Sequence, residues 1–357
     1  MPAHPPVLIV GHGLAGATLQ LTLEARGQPV AVSHSAGESA SRVAAGLVSP
    51  VTGPRLALPE NTAAFLEAAQ RLYTEAERRL GQPLWHPTPI RRLFVDAAER
   101  RRWEARRQEA SHAPWLAPAD PPGSLAACAD PEGSGLIHGG GHVDSEPLLD
   151  GLLARLDADG NLRPPLTEAA SIRVADDHVT VDGERFAAVF FCEGTAVADN
   201  PWFHWLPVQP LKGEVLTLSR PTPAPPLPLN RRQWLVPGAE DTVRVGATHE
   251  QSPEDVHPSQ SGRERLLAAA AAMLGKPAPQ PVRDHRAGWR PTLPDRHPVA
   301  GPHPRQPRLL VFNGFGGRGA FWAPHYAECL AAHWLDGAPL PPAVAPSRYW
   351  KEDEPCA

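Results

Sequence analysis

The stretch "VLIVGHGLAGATLQLTLEARG", Val7 to Gly27, decides the fold. Val7 to Val10 is a short, apolar, largely β-branched run suited to a buried parallel strand. Gly11-x-Gly13-x-x-Gly16 follows at once, and the residues after it read as a helix ending near Gly27. In such a unit the first glycine makes the turn, the second admits a pyrophosphate, and the third lets helix and strand pack closely. The helix N-terminus, with Leu14 and Ala15 in its first turn, offers free N–H groups and the positive end of a dipole to that phosphate. Glycine turns alone are common; one seated between a strand and a helix points to a bound dinucleotide.

The next strand raises a question. "QPVAVSHS", Gln28 to Ser35, ends where a dinucleotide site normally carries Asp or Glu against a ribose hydroxyl. Here Ser33 and His34 stand instead, and His34 aligns with the usual acid. It could offer a ring nitrogen to the ribose, leave that contact to water or backbone, or lie in a loop without touching ligand.

The rest of the chain sets bounds. Its 357 residues can form one large or two modest domains, and an apolar fraction of 42% with 20% charged residues is an ordinary globular balance. Forty-four prolines, clustered in segments such as "RPTPAPPLPL" (220–229), indicate stiff connections. A net charge of −5 advertises no polyanionic partner. Cys128, Cys192, Cys329 and Cys356 are scattered, which suggests reduced thiols of a cytoplasmic protein. The N-terminus lacks a basic region before its apolar run, so it reads as a first strand and not as a signal peptide. No apolar run approaches a bilayer span, and no membrane association is expected.

Thr62 to Leu80, "SEPLLDGLLARL" (145–156, with Ser145 as N-cap) and Arg263 to Leu274 read as helices. "HVTVDGERFAAVFFCEG" is a glycine-turned hairpin leading into an apolar strand, and "GEVLTL", "QWLVP" and "TVRVGAT" are strand-like. The chain closes as strand, glycine turn and helix. Strands alternate with helices at both ends while the middle is strand-rich. The expected class is therefore α/β (α+β), a doubly wound, Rossmann-like domain with a β-rich domain inserted. The nucleotide domain is expected to be discontinuous, from residues 1–85, 136–205 and 285–357, with 86–135 and 206–284 forming the second domain.

Three segments separate FAD from NAD. "ESASRVAAGLVSPVTGPR" (38–55), "AGWRPTLPDRHPVAGPHP" (287–304) and "LLVFNGFGGRGAFWAP" (309–324) resemble, in order, segments of the D-amino-acid oxidase superfamily of FAD enzymes. Glycine oxidase, sarcosine oxidase and the FAD domain of the bifunctional enzyme that makes 5-methylaminomethyl-2-thiouridine in tRNA belong to it. The resemblance runs from about residue 7 to residue 335 and implies a Rossmann-like FAD-binding domain beside a β-rich substrate domain. It implies that Ser41, Arg42, Ala45 and Gly46 lie along the flavin and its phosphates. It implies also that Gly194, in "FFCEG", closes the flavin domain, and that Gly314, Gly316, Gly317, Arg318 and Gly319 form a turn against the isoalloxazine; four glycines in six positions allow close backbone approach. "NGFGGRG" carries no cysteine, so the FAD is expected to be non-covalent.

For substrate, the resemblance implies that Arg290 clamps a carboxylate, since a planar fork makes two parallel charge-assisted bonds. Trp234 stands where related enzymes tend to carry tyrosine, keeping the wall but losing the hydroxyl. Arg318 either reaches a substrate acid or braces its turn. These three are the candidate catalytic residues. No metal site is expected, because His138 and His142 of "HGGGH" lie in a glycine loop without a neighbouring Cys or carboxylate at ligand spacing. Arg91 to Arg107 holds seven arginines against Asp96, Glu99 and Glu104, either a solvated helix face or a stripe for tRNA phosphates. The expected function is oxidation of a small amine or amino acid, with hydride transfer to the flavin and reoxidation by O₂. The alternatives are a stand-alone oxidase of tRNA wobble uridine and an FAD-binding protein without oxidase activity.

Overall fold

The computed structural model describes residues 5–167, 171–239, 241–251 and 255–351; Cys356 lies outside them. Its helices are α1 (Leu14–Ala25), α2 (Ala40–Val43), α3 (Thr62–Leu80), α4 (Ala97–Arg107), α5 (Ser145–Ala158), α6 (Gln260–Leu274) and α7 (Gly319–Asp336).

The opening strand Val7–Val10 lies between two parallel neighbours, with Leu8 registered against Ala31 on one side and Val189 on the other. Leu162–Arg163 and Gln306–Asn313 extend the parallel sheet outward, and Val299–His303 adds an antiparallel edge. Strand alternation explains why all four residues Val7 to Val10 are apolar. Val7 and Ile9 join the core shared with α1, α3, α5 and α7, while Leu8 and Val10 join a second core with Phe191, Trp202, Phe203 and Val311. A small antiparallel sheet, Arg173–Val174, Val179–Val181 and Glu184–Phe186, feeds Ile172, Val179, Val181 and Phe186 into that second core.

A separate eight-stranded sheet draws on Ile90–Leu93, Ser134–Ile137, Gln209–Ser219, Leu229–Arg231, Gln233–Pro237, Thr242–Gly246, Glu250–Gln251 and Val282–Thr292. Helix α6 packs on it through Leu266, Ala270 and Met273 against Leu216, Leu235 and Val245. The long strand Val282–Thr292 pairs with Gln209–Ser219 and presses on α2, where a Cβ at Gly288 would stand 2.9 Å from Ala40 Cα. A three-stranded sheet, Leu47–Val48, Gly141–Val143 and Trp85–Pro87, lies between the segments that build the two larger sheets.

One cap differs from expectation. Ser145 is the first helical residue of α5, fully buried, with Oγ donating to Val143 O at 3.4 Å; the N-cap is Asp144. Asp144 makes no side-chain cap bond because its carboxylate is engaged by His86 at 2.8 Å. Among the described residues no helix is long and apolar enough to cross a membrane.

Candidate functional site

The crevice lies beyond the carboxyl ends of Val7–Val10 and Val189–Phe191, where an open α/β sheet binds its ligand. Gly11 takes φ +91°, and a Cβ there would stand 2.6 Å from Cys192 O, so only glycine fits. A Cβ at Gly16 would collide with Gly11 O, and one at Gly13 would come within 2.8 Å of Ser41 Oγ. The helix cap at Gly13 has no side-chain acceptor of its own, and Ser41 Oγ supplies one, taking the N–H of Leu14 at 2.9 Å. Ala15 stands in the same first turn, its carbonyl accepting from Thr18 Oγ1 at 3.0 Å. Ser41 thus meets the glycine loop from α2, whose own cap is Ser39. Arg42 faces Asp150 at 2.6 Å and Glu146 at 3.7 Å. Ala45 is buried, and Gly46, at φ +64°, packs on the backbone of Val143.

The ribose end holds two histidines. Ser33 turns inward, donating to Pro164 O and accepting from Leu166 N, both at 2.8 Å. His34 is half-buried, its ring 6.2 Å from that of His12 in a T-shaped arrangement. Burial and then the Arg42 charge depress the His34 pKa. His12 is fully buried and held at about 4, chiefly by burial. Its Nε2 meets Gln20 Oε1 at 2.8 Å, Gln20 donates to Glu24, and Glu24 pairs with Arg79 at 2.7 Å. Both rings are neutral near pH 7, so neither supplies a charge in place of the usual carboxylate.

At the opposite lip, Glu193 follows the strand Val189–Phe191. Burial pushes its carboxyl up to about 7, against a bond from Asn200 Nδ2 at 2.7 Å, and Asp199 pushes the same way as burial. Gly194, at φ +63°, has open space where a side chain would project, and its carbonyl accepts from Asn313 Nδ2 at 2.7 Å. Asn313 Oδ1 in turn accepts from Gly314 N at 2.8 Å. The hydrogen-bonded amide therefore ties the two glycine turns of the crevice together.

The turn 314–319 is braced from the second sheet: Gly316 N donates to Pro291 O at 2.8 Å, and a Cβ at Gly314 would stand 2.6 Å from Leu293 Cδ1. Gly317 is exposed, and the Arg290 Cδ lies 4.0 Å from where its Cβ would be. Gly319 opens α7 against Leu14. Arg290 stretches across Gly213 of the neighbouring strand, where any side chain would collide with the guanidinium. Its Nη1 donates to Thr248 O at 3.3 Å. Burial lowers its pKa to about 10, so it remains a cation at neutral pH, and among the described residues no carboxylate pairs with it.

Arg318 lies 4.6 Å over the ring of Trp322, one turn along its own helix, and burial and then Arg296 lower its pKa. This placement braces the start of α7. Trp234 packs over Gly246 in a small cluster with Val43, Val215 and Ala247, between α2 and the second sheet. The arginine stripe is mostly spoken for: Arg91 meets Asp120, Arg92 meets Glu99 and Asn230, Arg106 meets Glu109, and Arg107 meets Glu104.

Sequence reading missed His12, Glu193 and His249. The first stands inside the glycine motif and the second inside "FFCEG", so the available signal was a titratable residue within each turn. His249, next to the residue that Arg290 grips, has its pKa lowered by burial and then by Arg290.

These residues fit FAD: three collisions that exclude side chains from the glycine loop, a helix N-terminus aimed at the crevice, and an exposed glycine turn at its far end. Comparison with known proteins agrees. The chain is 28% identical over 364 residues to the tRNA 5-methylaminomethyl-2-thiouridine biosynthesis bifunctional protein MnmC of Maricaulis maris, covering 96% of this chain and 55% of that protein. It thus spans little more than half the length of that relative. Among solved structures, iminodiacetate oxidase of a Chelativorans species superposes with a TM-score of 0.77 at 23% identity, covering 96% of this chain and 98% of that one. Glycine oxidase of Geobacillus kaustophilus gives 0.76 at 23% identity, covering 94% and 96%. Residues 6–333 match the family described as DAO, FAD dependent oxidoreductase, and the chain belongs to that family of FAD enzymes.

Proposed function

We propose that the protein oxidises an amine that carries a carboxylate, either a free amino acid or an N-carboxymethyl amine. The observation that carries this reading is Arg290, a largely desolvated cation with no carboxylate pairing it among the described residues, set beside the exposed Gly317. A cation largely shielded from water, with the Thr248 carbonyl beside it and no carboxylate among the described residues, suits an anionic ligand. A substrate carboxylate would take two charge-assisted bonds from the guanidinium and fix the α-carbon toward Gly317. Bound FAD supplies the hydride acceptor, and O₂ returns the enzyme to its oxidised state with release of H₂O₂. The substrate would lose a C–H hydride and an amine proton to become an imine, which water cleaves to a carbonyl compound and either ammonia, from a free amino acid, or the amine freed of its carboxymethyl group. Arg290 takes no proton in this sequence; it binds and orients.

Arg290→Ala should raise KM for carboxylated amines about a hundredfold, the scale of a lost charge-assisted pair, while the flavin spectrum persists. Arg290→Lys, which keeps charge without the fork, should fall between. An unchanged KM in the alanine variant removes Arg290 from the site. An aerobic peroxide screen over glycine, sarcosine, iminodiacetate, proline and D-amino acids identifies the substrate.

A second reading is favoured by the kinship with MnmC, several examples of which align over 96–98% of this chain. The carboxymethylamino group of a wobble uridine is chemically a glycine, so the same Arg290 clamp would serve it. A deletion strain that accumulates carboxymethylaminomethyl nucleoside supports this reading, and an unaltered nucleoside profile excludes it.

A further inference from the structure

The strands Trp85–Pro87 and Gly141–Val143 run antiparallel with His86 directly opposite His142, and Asp144 follows at the start of α5. The two imidazoles stack at 4.6 Å, and His86 Nε2 lies 2.8 Å from Asp144 Oδ2. One ligand atom from each of the three residues lies within 4.8 Å of the others. His142 is 7% exposed, and its Nδ1 is buried without a hydrogen-bond partner. An orphaned buried atom of this kind is costly, and an apolar residue at this position would avoid that cost. The sequence reading passed over Asp144, two residues beyond His142, and His86 reaches the pair only through strand pairing.

We propose that His86, His142 and Asp144 bind one divalent cation of the zinc class. Two imidazoles and one carboxylate form a borderline donor set, which suits zinc, cobalt or nickel better than magnesium or calcium. Tetrahedral bonds of about 2.1 Å keep ligand atoms roughly 3.4 Å apart, so side-chain rotations of about an ångström close the set. The side chains of His86 and Asp144 are 40% and 37% exposed, which gives an ion a route in and room for a water in the fourth position.

Arg244 is the cation that faces His142, and its guanidinium donates to Ala44 O at 2.9 Å and Val43 O at 2.5 Å. Behind it Arg42 and Arg286 are offset by Glu38, Glu146 and Asp150, so acids outnumber bases once Asp144 is included. The ion would pin the three-stranded sheet in which Leu47 pairs with His142, immediately after Gly46. The inference is independent of which amine the enzyme oxidises.

The test uses the intact flavoprotein, stripped with EDTA and titrated with zinc against a chromophoric chelator. One equivalent should bind with micromolar or tighter Kd. His86→Gln and Asp144→Asn should each weaken it more than a hundredfold, beyond the roughly 10–100-fold that loss of a merely supporting group brings, with the flavin spectrum unchanged. X-ray absorption at the zinc edge of the unmodified protein should show scattering from two imidazoles, a readout that does not depend on how the variants fold. No stoichiometric zinc, an edge spectrum without two imidazoles, or equal affinity in folded variants would each overturn the proposal; the last means an adventitious ion only, held elsewhere among the protein's many histidines.

Discussion

Glu193 shows how much one residue's surroundings can set. Its carboxyl ionises near 4.3 in an unfolded chain but near 7 in the folded one, because burial penalises the charge. Across that window the folded state keeps a proton that the unfolded state has released. Its contribution to stability therefore falls as pH rises from about 4.3 to 7, and above 7 the carboxylate costs up to about 4 kcal/mol. Glu193→Gln keeps an acceptor for Asn200 and removes the charge. It should raise Tm at pH 8 and leave it nearly unchanged at pH 4.5; an equal shift at both pH values would contradict the assignment. The same surroundings were hidden in the sequence. "FFCEG" displays an acid, but its desolvation comes from chain distant in sequence. His34 is the converse: the missing acid was plain to read, whereas the partner ring of His12 and the inward turn of Ser33 were not.

At the scale of elements, α3 was legible to its ends, because apolar residues at i, i+3 and i+4 describe one stripe and Gly81 adopts the left-handed C-cap. That stripe meets α7 through Phe65, whose ring lies 5.5 Å from Phe321, 4.5 Å from His325 and 5.3 Å from Tyr326. Phe65 is 5% exposed. Phe65→Ala should cost about 3–5 kcal/mol, read as a lower urea midpoint with unchanged slope. Since α7 begins at the glycine turn, flavin affinity should fall with it. The start of α5 was not legible to the residue. Ser145 and Asp144 are both good caps by type, and the choice between them depends on the pairing of two strands that brings His86 to the Asp144 carboxylate.

Over the whole molecule, the second sheet is fastened to the nucleotide-binding part at α2. Arg244 reaches across to the carbonyls of Val43 and Ala44, and Arg286 pairs with Glu38 and Glu146 at 2.8 and 2.9 Å. Arg244→Met keeps most of the apolar stem but leaves both carbonyls without donors. Since α2 also carries Ser41 to the glycine loop, this variant should release flavin about tenfold faster, measured by recovery of free-flavin fluorescence on dilution. An unchanged release rate would uncouple the two. The sequence by itself determined the nucleotide crevice, the parallel strands and the glycine turns, because those depend on neighbours a few residues apart: a φ that only glycine adopts, a run buried on both faces, an apolar stripe of helical period. Tertiary structure alone decided that Arg290 lies beside Gly317 with no carboxylate pairing it among the described residues, and that His86 is brought to His142 and Asp144. Each depends on strand register or on two sheets meeting, and burial acts on charge through the atoms that surround it in space, whatever their separation along the chain.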